Sequence, residues 1–421
     1  MVKPQISLIH PISNPFSRNA ALALAESGLL KEIVTTIGYN PQSYWTRYLN
    51  LLPKNIAKRI NQELSRRAWI PPDGVNICRY PMRETLRVLL VKLGFGGFWG
   101  LDKQQSLYPW VFLPLDAQFA RQHLHNITAV YAYEDGAATT FAAAKVKGIT
   151  CFYDLPIPYY LTSRSIQVQE AELFPELANT LDAVKEPAWK IERKEQELQL
   201  ADHIFVASSM TKSSLLEAQV SASKISVIPY GAPINYFQPQ LKANQGFRAL
   251  FVGRVGARKG VHYLLQAWKK LRLSNAELLL VGYNEFPDGW LEKYASCCRY
   301  VPSVPHRELN SYYNSASVFV FPSLVEGFGL VLLEAMACGI PVIATPNTAA
   351  PDIITDGKEG FIIPIRNIEA LQEKLDWCYR HPQELAIMGK AARAKAQELT
   401  WDLYRQQLAA VVSGKLGLDK N

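Results

Sequence analysis

Two carboxylates, Glu326 and Glu334, stand with seven residues between them in the segment 322–344, PSLVEGFGLVLLEAMACGIPVIA. Gly327 and Gly329 follow the first, and an apolar run at 330–338 carries the second. A second constellation lies upstream in FVGRVGARKG, 251–260, where an apolar stretch ends at Gly253 and the cations Arg254 and Lys259 precede a helical pattern. Both segments read as a buried strand, then a glycine-bearing loop, then a helix. In an open α/β sheet that corner is where ligands bind. Glycine lets a backbone come close to a ligand, and a new helix offers unpaired N–H groups to an anion. Two fixed cations beside such a helix start suit a diphosphate. Unpaired carboxylates in an apolar corner are costly, and a polyhydroxylated ligand would supply donors for both. The upstream loop lacks the Gly-Lys-Ser/Thr ending of a Walker P-loop and is not a full Gly-x-Gly-x-x-Gly fingerprint.

The elements that must position these groups alternate along the chain. Strands are expected at 5–10, 33–37, 129–133, 150–153, 204–207 and 225–228, with helices at 18–30, 137–147 and 210–217 and a long helical stretch at 162–200 broken near Pro175 and Pro187. After Phe237 the rhythm restarts, with strands at 248–252, 276–281, 300–301, 318–321 and 341–344 and helices at 260–271, 290–296 and 308–314. Such alternation indicates parallel sheets. Two runs joined near residue 235 predict two doubly wound domains facing across a cleft, and 421 residues is the length two ordinary domains need. Residues 44–110 fit the pattern badly and read as a helix-rich excursion.

Composition narrows the function classes. Hydrophobic content of 48% with 19% charged residues is globular. The apolar stretch 86–101 is too short to span a bilayer and carries Arg87 and Lys92, and the N-terminus lacks the features of a signal peptide. Six scattered cysteines show no metal-ligand spacing and no disulfide framework, which favours the cytosol. The net charge of +8 is uneven: 44–110 holds eleven Lys/Arg against four Asp/Glu, together with Trp45, Trp69, Trp99 and Trp110. Such a surface would attract an anionic membrane, or it is a solvated helical face with its aromatics in the core.

In combination and order these residues resemble glycosyltransferase family 4, the retaining nucleotide-sugar transferases of GT-B fold. The match runs through Gly253-Arg254, Lys259-Gly260, Pro322-Ser323, the Glu326-x7-Glu334 signature, Pro351-Asp352 and Asp356-Gly357 to Gly360-Phe361, covering about 200–400. The resemblance implies a donor domain at 236–400, an acceptor domain at 1–235, and a final helix within 401–421 crossing back to the first domain. It implies that Arg254 and Lys259 bind the donor diphosphate and stabilise the leaving group. Glu326 would hold hydroxyls of the transferred sugar and Glu334 those of the ribose. Gly327, Phe328, Gly329 and Leu330 would place amides near sugar and phosphate, Gly253 would open the loop, and Ser303 and Val304 would lie against the base. No metal and no cofactor is required in this family. The chemistry agrees: breaking a glycosyl–phosphate bond builds negative charge on the diphosphate, which fixed cations stabilise, and domain closure would exclude water.

The first half departs from the family. Its first loop is His10-Pro11-Ile12-Ser13-Asn14-Pro15 where many members carry Gly-Gly, and Asp154 stands where many place a His. Asp154, Glu134 and Asp135 are candidates to orient or deprotonate the acceptor hydroxyl, with Asp154 first, or they are helix-cap and turn carboxylates. His10 is a further candidate. The reading is a retaining glycosyltransferase that extends a glycan or lipid-linked acceptor in bacterial surface polysaccharide or glycolipid synthesis. It would be cytoplasmic, or peripheral on the inner face of the membrane. A nucleotide-sugar epimerase of GT-B shape and a non-catalytic nucleotide-sugar or glycan binder are alternatives; no nucleic-acid partner is expected.

Overall fold

Apolar runs of four to six residues, each followed by an amphipathic segment, fold here into parallel sheets covered by helices. The computed structural model describes residues 4–40, 53, 64, 69–70, 72–95, 108–240 and 246–418. Much of the basic, tryptophan-bearing excursion, including Trp45 and Trp99, lies outside the described residues.

The first sheet has the strand order β3-β2-β1-β4-β5-β6-β7. These are β1 Ile6–Ile9, β2 Leu30–Thr35, β3 Asn76–Arg79, β4 Ala129–Tyr133, β5 Thr150–Leu155, β6 His203–Val206 and β7 Ile225–Val227. The second sheet runs β10-β9-β8-β11-β12-β13, made of β8 Phe247–Val252, β9 Ala276–Val281, β10 Arg299–Val301, β11 Val318–Phe321, β12 Val342–Ala344 and β13 Gly360–Ile362. In each sheet the order reverses beside the first strand, so each has a topological switch point: between β1 and β4, and between β8 and β11. Both inner pairs are parallel, with Ile6–Ile9 against Ala129–Ala132 and Val318–Phe319 against Ala249–Leu250. All residues of β1, β4 and β11 are buried, as strands covered on both faces must be.

Local chemistry sets the element ends. Asn14 caps the helix Pro15–Glu26, accepting from the Ser17 N–H at 2.8 Å while the Ser17 hydroxyl receives the Asn14 N–H at 3.2 Å. Pro15 occupies the first turn, where no backbone donor is needed. The helix ends at Ser27, and Gly28, at φ +67°, turns the chain, so Leu30 belongs to β2 and not to the end of the helix. The expected helix at 290–296 is only a short 3-10 turn, Leu291–Tyr294.

Within 44–110 the described residues hold the helix Met82–Lys92 and one strand. Asn76–Arg79 is a strand, paired in parallel with β2 from Glu32↔Asn76 to Thr35↔Arg79. Of the four tryptophans expected there, Trp69 is in the core and Trp110 is half-buried.

The chain packs as two units, each discontinuous in sequence. One draws on Met1–Leu155, Ala188–Phe205 and Arg405–Asn421, the other on Pro156–Pro187 and Val206–Tyr404. In the first, Arg405 Nε donates to Glu26 at 3.0 Å and its Nη1 to Asn19 at 3.0 Å. In the second, Glu170 on the helix Tyr160–Leu173 is fully buried. Its carboxylate lies 2.6 Å from His262 Nε2 and accepts from Arg366 Nε at 2.7 Å and from the Tyr263 hydroxyl at 3.3 Å. No helix among the described residues is long and apolar enough to cross a membrane. All six cysteines are unpaired.

Candidate functional site

At the second switch point, β8 and β11 deliver their following loops side by side. Gly253 leaves β8 at φ +145°, and a Cβ on Gly282 would fall 1.7 Å from the Gly253 oxygen, so two strand ends meet with no room for a side chain. The chain then makes a 3-10 turn, Ala257–Lys259, closed by Gly260 at φ +67°. A Cβ on Gly260 would lie 2.0 Å from the Pro322 oxygen, which presses this loop against the one after β11. The Leu324 N–H donates to the Arg258 oxygen at 3.0 Å and stitches them together.

This packing brings charged groups together. The buried Lys259 ammonium contacts the Glu326 carboxylate and sits 4.9 Å from the centre of the Phe321 ring. Arg258 Nη1 donates to the Val325 oxygen at 3.0 Å and stands 3.5 Å from Glu326 Oε2. Arg254 pairs with Glu285. Burial pushes the Lys259 ammonium well below the usual lysine range, helped by Arg258 and Arg254 and opposed by Glu285. Three cations thus gather around two carboxylates, an electropositive corner ready for an anion.

The Glu326 loop is fixed on both sides. The Glu326 N–H donates to the Asn347 oxygen at 2.9 Å, and the Gly327 oxygen accepts from Ser208 Oγ at 2.5 Å and Thr211 Oγ1 at 3.3 Å. A Cβ on Gly327 would fall 1.9 Å from the Pro156 oxygen. Gly329, at φ +87°, starts the helix Leu330–Ala337, whose first turn no side chain caps. The Leu332 N–H donates to the Gly329 oxygen at 2.9 Å, and no side chain takes the N–H groups of Leu330 and Val331, which suits an anion. Glu334, one turn in, is buried and already oriented: the Tyr313 hydroxyl donates to it at 2.8 Å and His306 Nε2 lies at 2.8 Å. The exposed His306 ring stacks on Tyr236 at 5.8 Å. Ser303 is exposed and Val304 half-buried in the loop after β10.

Of the expected donor-side residues, Lys259 and Glu326 are brought into contact, Arg254 joins them through Glu285, and Glu334 has partners of its own. Arg258, Glu285, His306 and Tyr313 escaped the sequence reading. Arg258 lies within the segment singled out, four residues after Arg254, but only the 3-10 turn directs it toward Glu326.

The first switch point is different in kind. His10, at the end of β1, is buried and pushed down to about 4 by that burial, against a backbone hydrogen bond with Ile12. Its ring meets Tyr133 edge-on at 4.6 Å. Asp154 is buried and accepts from the Tyr131 hydroxyl at 2.7 Å; burial raises it to about 7 although Tyr131 and Tyr133 donate to it. Glu134 lies 3.4 Å from Lys194 Nζ, and Asp135, at φ +73°, lies 3.2 Å from Lys190 Nζ. Glu197, unflagged by sequence, accepts from the N–H groups of Asp135, Ala137 and Ala138 at 3.0, 2.9 and 3.2 Å and from the Tyr153 hydroxyl at 3.0 Å. Burial raises Glu197 to about 8.

One His/Cys/Glu cluster among the described residues could hold a metal: Glu32, Cys78 and His123, with ligand atoms within 4.8 Å of one another. Their own hydrogen bonds account for the grouping. Burial opposes it, but bonds from His123 and then Ser7 hold Glu32 down to about 2.

Comparison with known proteins bears on both halves. Residues 234–395 match the family model of glycosyl transferases group 1. That segment spans β8 to β13 and every donor-side residue above. The O-antigen chain mannosyltransferase B of Escherichia coli is 30% identical over 174 residues, which is 38% of this chain and 43% of that relative. The chain therefore spans less than half the length of that relative. Across the whole chain the likeness is one of fold, and the fold is GT-B. A sucrose-phosphate synthase of Thermosynechococcus elongatus superposes with a TM-score of 0.68 at 19% identity over 98% of this chain and 99% of that one. The Anabaena protein HepE, solved with UDP, gives 0.64 at 16% identity over 97% of this chain and 100% of that one.

Proposed function

We propose that this chain is a retaining glycosyltransferase that moves a sugar from a nucleotide-sugar to a glycan or lipid-linked acceptor, in bacterial surface polysaccharide or glycolipid synthesis. The observation that carries this reading is the meeting of Lys259, Arg258 and Glu326 beside an uncapped helix start at the β8/β11 switch point. Arg254, Arg258 and Lys259 take the donor diphosphate and stabilise the charge that develops on it as the glycosyl bond breaks. Glu326, released from part of its pairing with Lys259 when phosphate arrives, accepts hydroxyls of the transferred sugar. Glu334, aimed by Tyr313 and His306, accepts the ribose hydroxyls, and Ser303 and Val304 border the base. Asp154, Glu134, Asp135 and His10 are the acceptor-side groups to test. Protein cations take the role a metal plays elsewhere, so no metal is needed. The match to group 1 transferases, the mannosyltransferase relative and the UDP complex of HepE support the donor class.

The test is a panel of nucleotide sugars offered with lipid-diphosphate acceptors, with sugar transfer and nucleotide release both measured. Wild type should release nucleotide with one donor, and Lys259→Ala and Glu326→Ala should lose it. Equal release by all three proteins would show that the assignment is wrong.

A further inference from the structure

The first unit holds a cavity of about 640 Å³ at the carboxyl ends of β2 and β3, within the range of small-molecule sites. Among the described residues three guanidinium groups line it, from Arg79, Arg83 and Arg121, and no carboxylate does. Arg79, the last residue of β3, is steadied by its Nε donating to the Gly38 oxygen at 2.9 Å. Arg83 and Arg121 have no ion pair or hydrogen bond among the described residues. Three like charges on one hollow repel each other, and an anion would relieve this by forked hydrogen bonds.

Apart from Thr36, Tyr80 and Gln118, the rest of the lining is apolar. Val111 and Leu115 are buried in it, and Met82 stands at its rim. Met82 also begins an exposed stripe on the helix Met82–Lys92 and just past its end. Met82, Leu86, Leu89 and Leu93 are 81%, 44%, 52% and 60% exposed, and their spacing of four, three and four residues puts them on one face. A hollow lined by three arginines therefore opens onto an apolar track through Met82.

From this juxtaposition we infer that the first unit binds a phosphate or diphosphate ester carrying a long apolar chain. The charged head sits among Arg79, Arg83 and Arg121, and the chain lies along Met82, Leu86, Leu89 and Leu93. This rests on the glycosyltransferase reading and specifies its acceptor: a sugar whose anchor is an anionic lipid head, not a free glycan. An ordinary anionic surface would need only the arginines, and a neutral lipid only the stripe.

The experiment uses the full chain and three probes by calorimetry: farnesyl diphosphate, inorganic diphosphate and farnesol. Farnesyl diphosphate should bind at least about tenfold more tightly than either of the others. The double variant Arg83→Glu/Arg121→Glu should weaken it about a hundredfold, about tenfold per arginine, while Lys270→Glu/Lys390→Glu, an equal charge change on the other unit, leaves it unchanged. Leu89→Ser/Leu93→Ser should bring its affinity down toward that of inorganic diphosphate. UDP, GDP and ADP are titrated in parallel. If no nucleotide binds any of these proteins, the glycosyltransferase reading fails, whatever the lipid does. If a nucleotide binds wild type and the arginine variant alike but farnesyl diphosphate binds both equally, the inference is overturned. Binding of inorganic diphosphate as tight as farnesyl diphosphate overturns it too. Loss in the arginine variant of binding to phosphatidylglycerol vesicles, with farnesyl diphosphate unaffected, would also overturn it, in favour of general membrane attraction.

Discussion

The two switch points occupy equivalent places in two sheets of the same strand order, yet they are built oppositely. At β8/β11, cations outnumber carboxylates, Arg254 is part-exposed and the helix at Leu330 is uncapped. At β1/β4, the chain buries His10, Glu134 and Asp154, and the helix Ala138–Val146 has its first N–H groups taken by Glu197 and Asp116. The same backbone corner is left without a side-chain cap in one sheet and is capped by buried carboxylates in the other. Topology supplies the corner, and side chains decide whether it is a site.

The sharpest way to break this comparison is at Lys259. Lys259→Ala should cut kcat/KM by about 10² to 10³, the usual effect of losing one preorganised charge partner in a transition state. Glu326→Ala should fall in the same range, and steady-state kinetics on the preferred donor would read both. The matching experiment on the other corner acts on folding instead. Glu197→Ala strands two buried N–H groups and one part-buried and should cost about 2–4 kcal/mol of stability, read by urea unfolding followed through hydrogen exchange of the β4 and β5 amides. A normal fold with lost activity would mean that the two corners are not so different. Arg254→Ala, part-exposed and already paired with Glu285, should cost only about tenfold in kcat/KM.

The pH dependence should also separate the corners. Asp154 and Glu197 have folded pKa values raised to about 7 and about 8. Between their ordinary carboxyl values and these, the folded state holds more protons than the unfolded one. Below about pH 6.5 the buried His10 and His203, held down to about 4, act in the opposite sense, so stability of the first unit should fall as pH rises from about 6.5 to 8, and Asp154→Asn with Glu197→Gln should flatten that slope. Rising stability over that range would contradict the burial assigned to both groups. The smallest effect is expected from a chelator: EDTA should leave transfer rates unchanged, and a loss restored by a divalent ion would mean that Arg254, Arg258 and Lys259 do not suffice.

Strands were legible where they lie inside a sheet. Ala129–Tyr133 and Val318–Phe321 are continuous apolar or aromatic runs with the observed bounds, and Ala276–Val281 is interrupted only by Glu277. Of the four edge strands, Ile225–Val227 and Arg299–Val301 were expected and the other two were not. Asn76–Arg79 buries one residue of its four, so no run betrays it, and Gly360–Ile362 at the other sheet's edge is three residues long. Among site residues, Glu326 and Lys259 stood out through their glycine neighbours. Arg258, Glu285, His306 and Tyr313 did not, because their roles come from turns and from helices far apart in sequence. Glu197 reads as one more charge on a polar helix until its carboxylate is seen under the N–H groups of another.

The burial of Glu170 constrains how such proteins can be recombined. A chimera that transplants the second sheet by cutting between β7 and β8 takes His262, Tyr263 and Arg366 but leaves behind the carboxylate they converge on. The graft would inherit a buried cationic hole instead of a finished interior. Swaps meant to change donor preference should carry 156–187 along with 206–404 as one cassette.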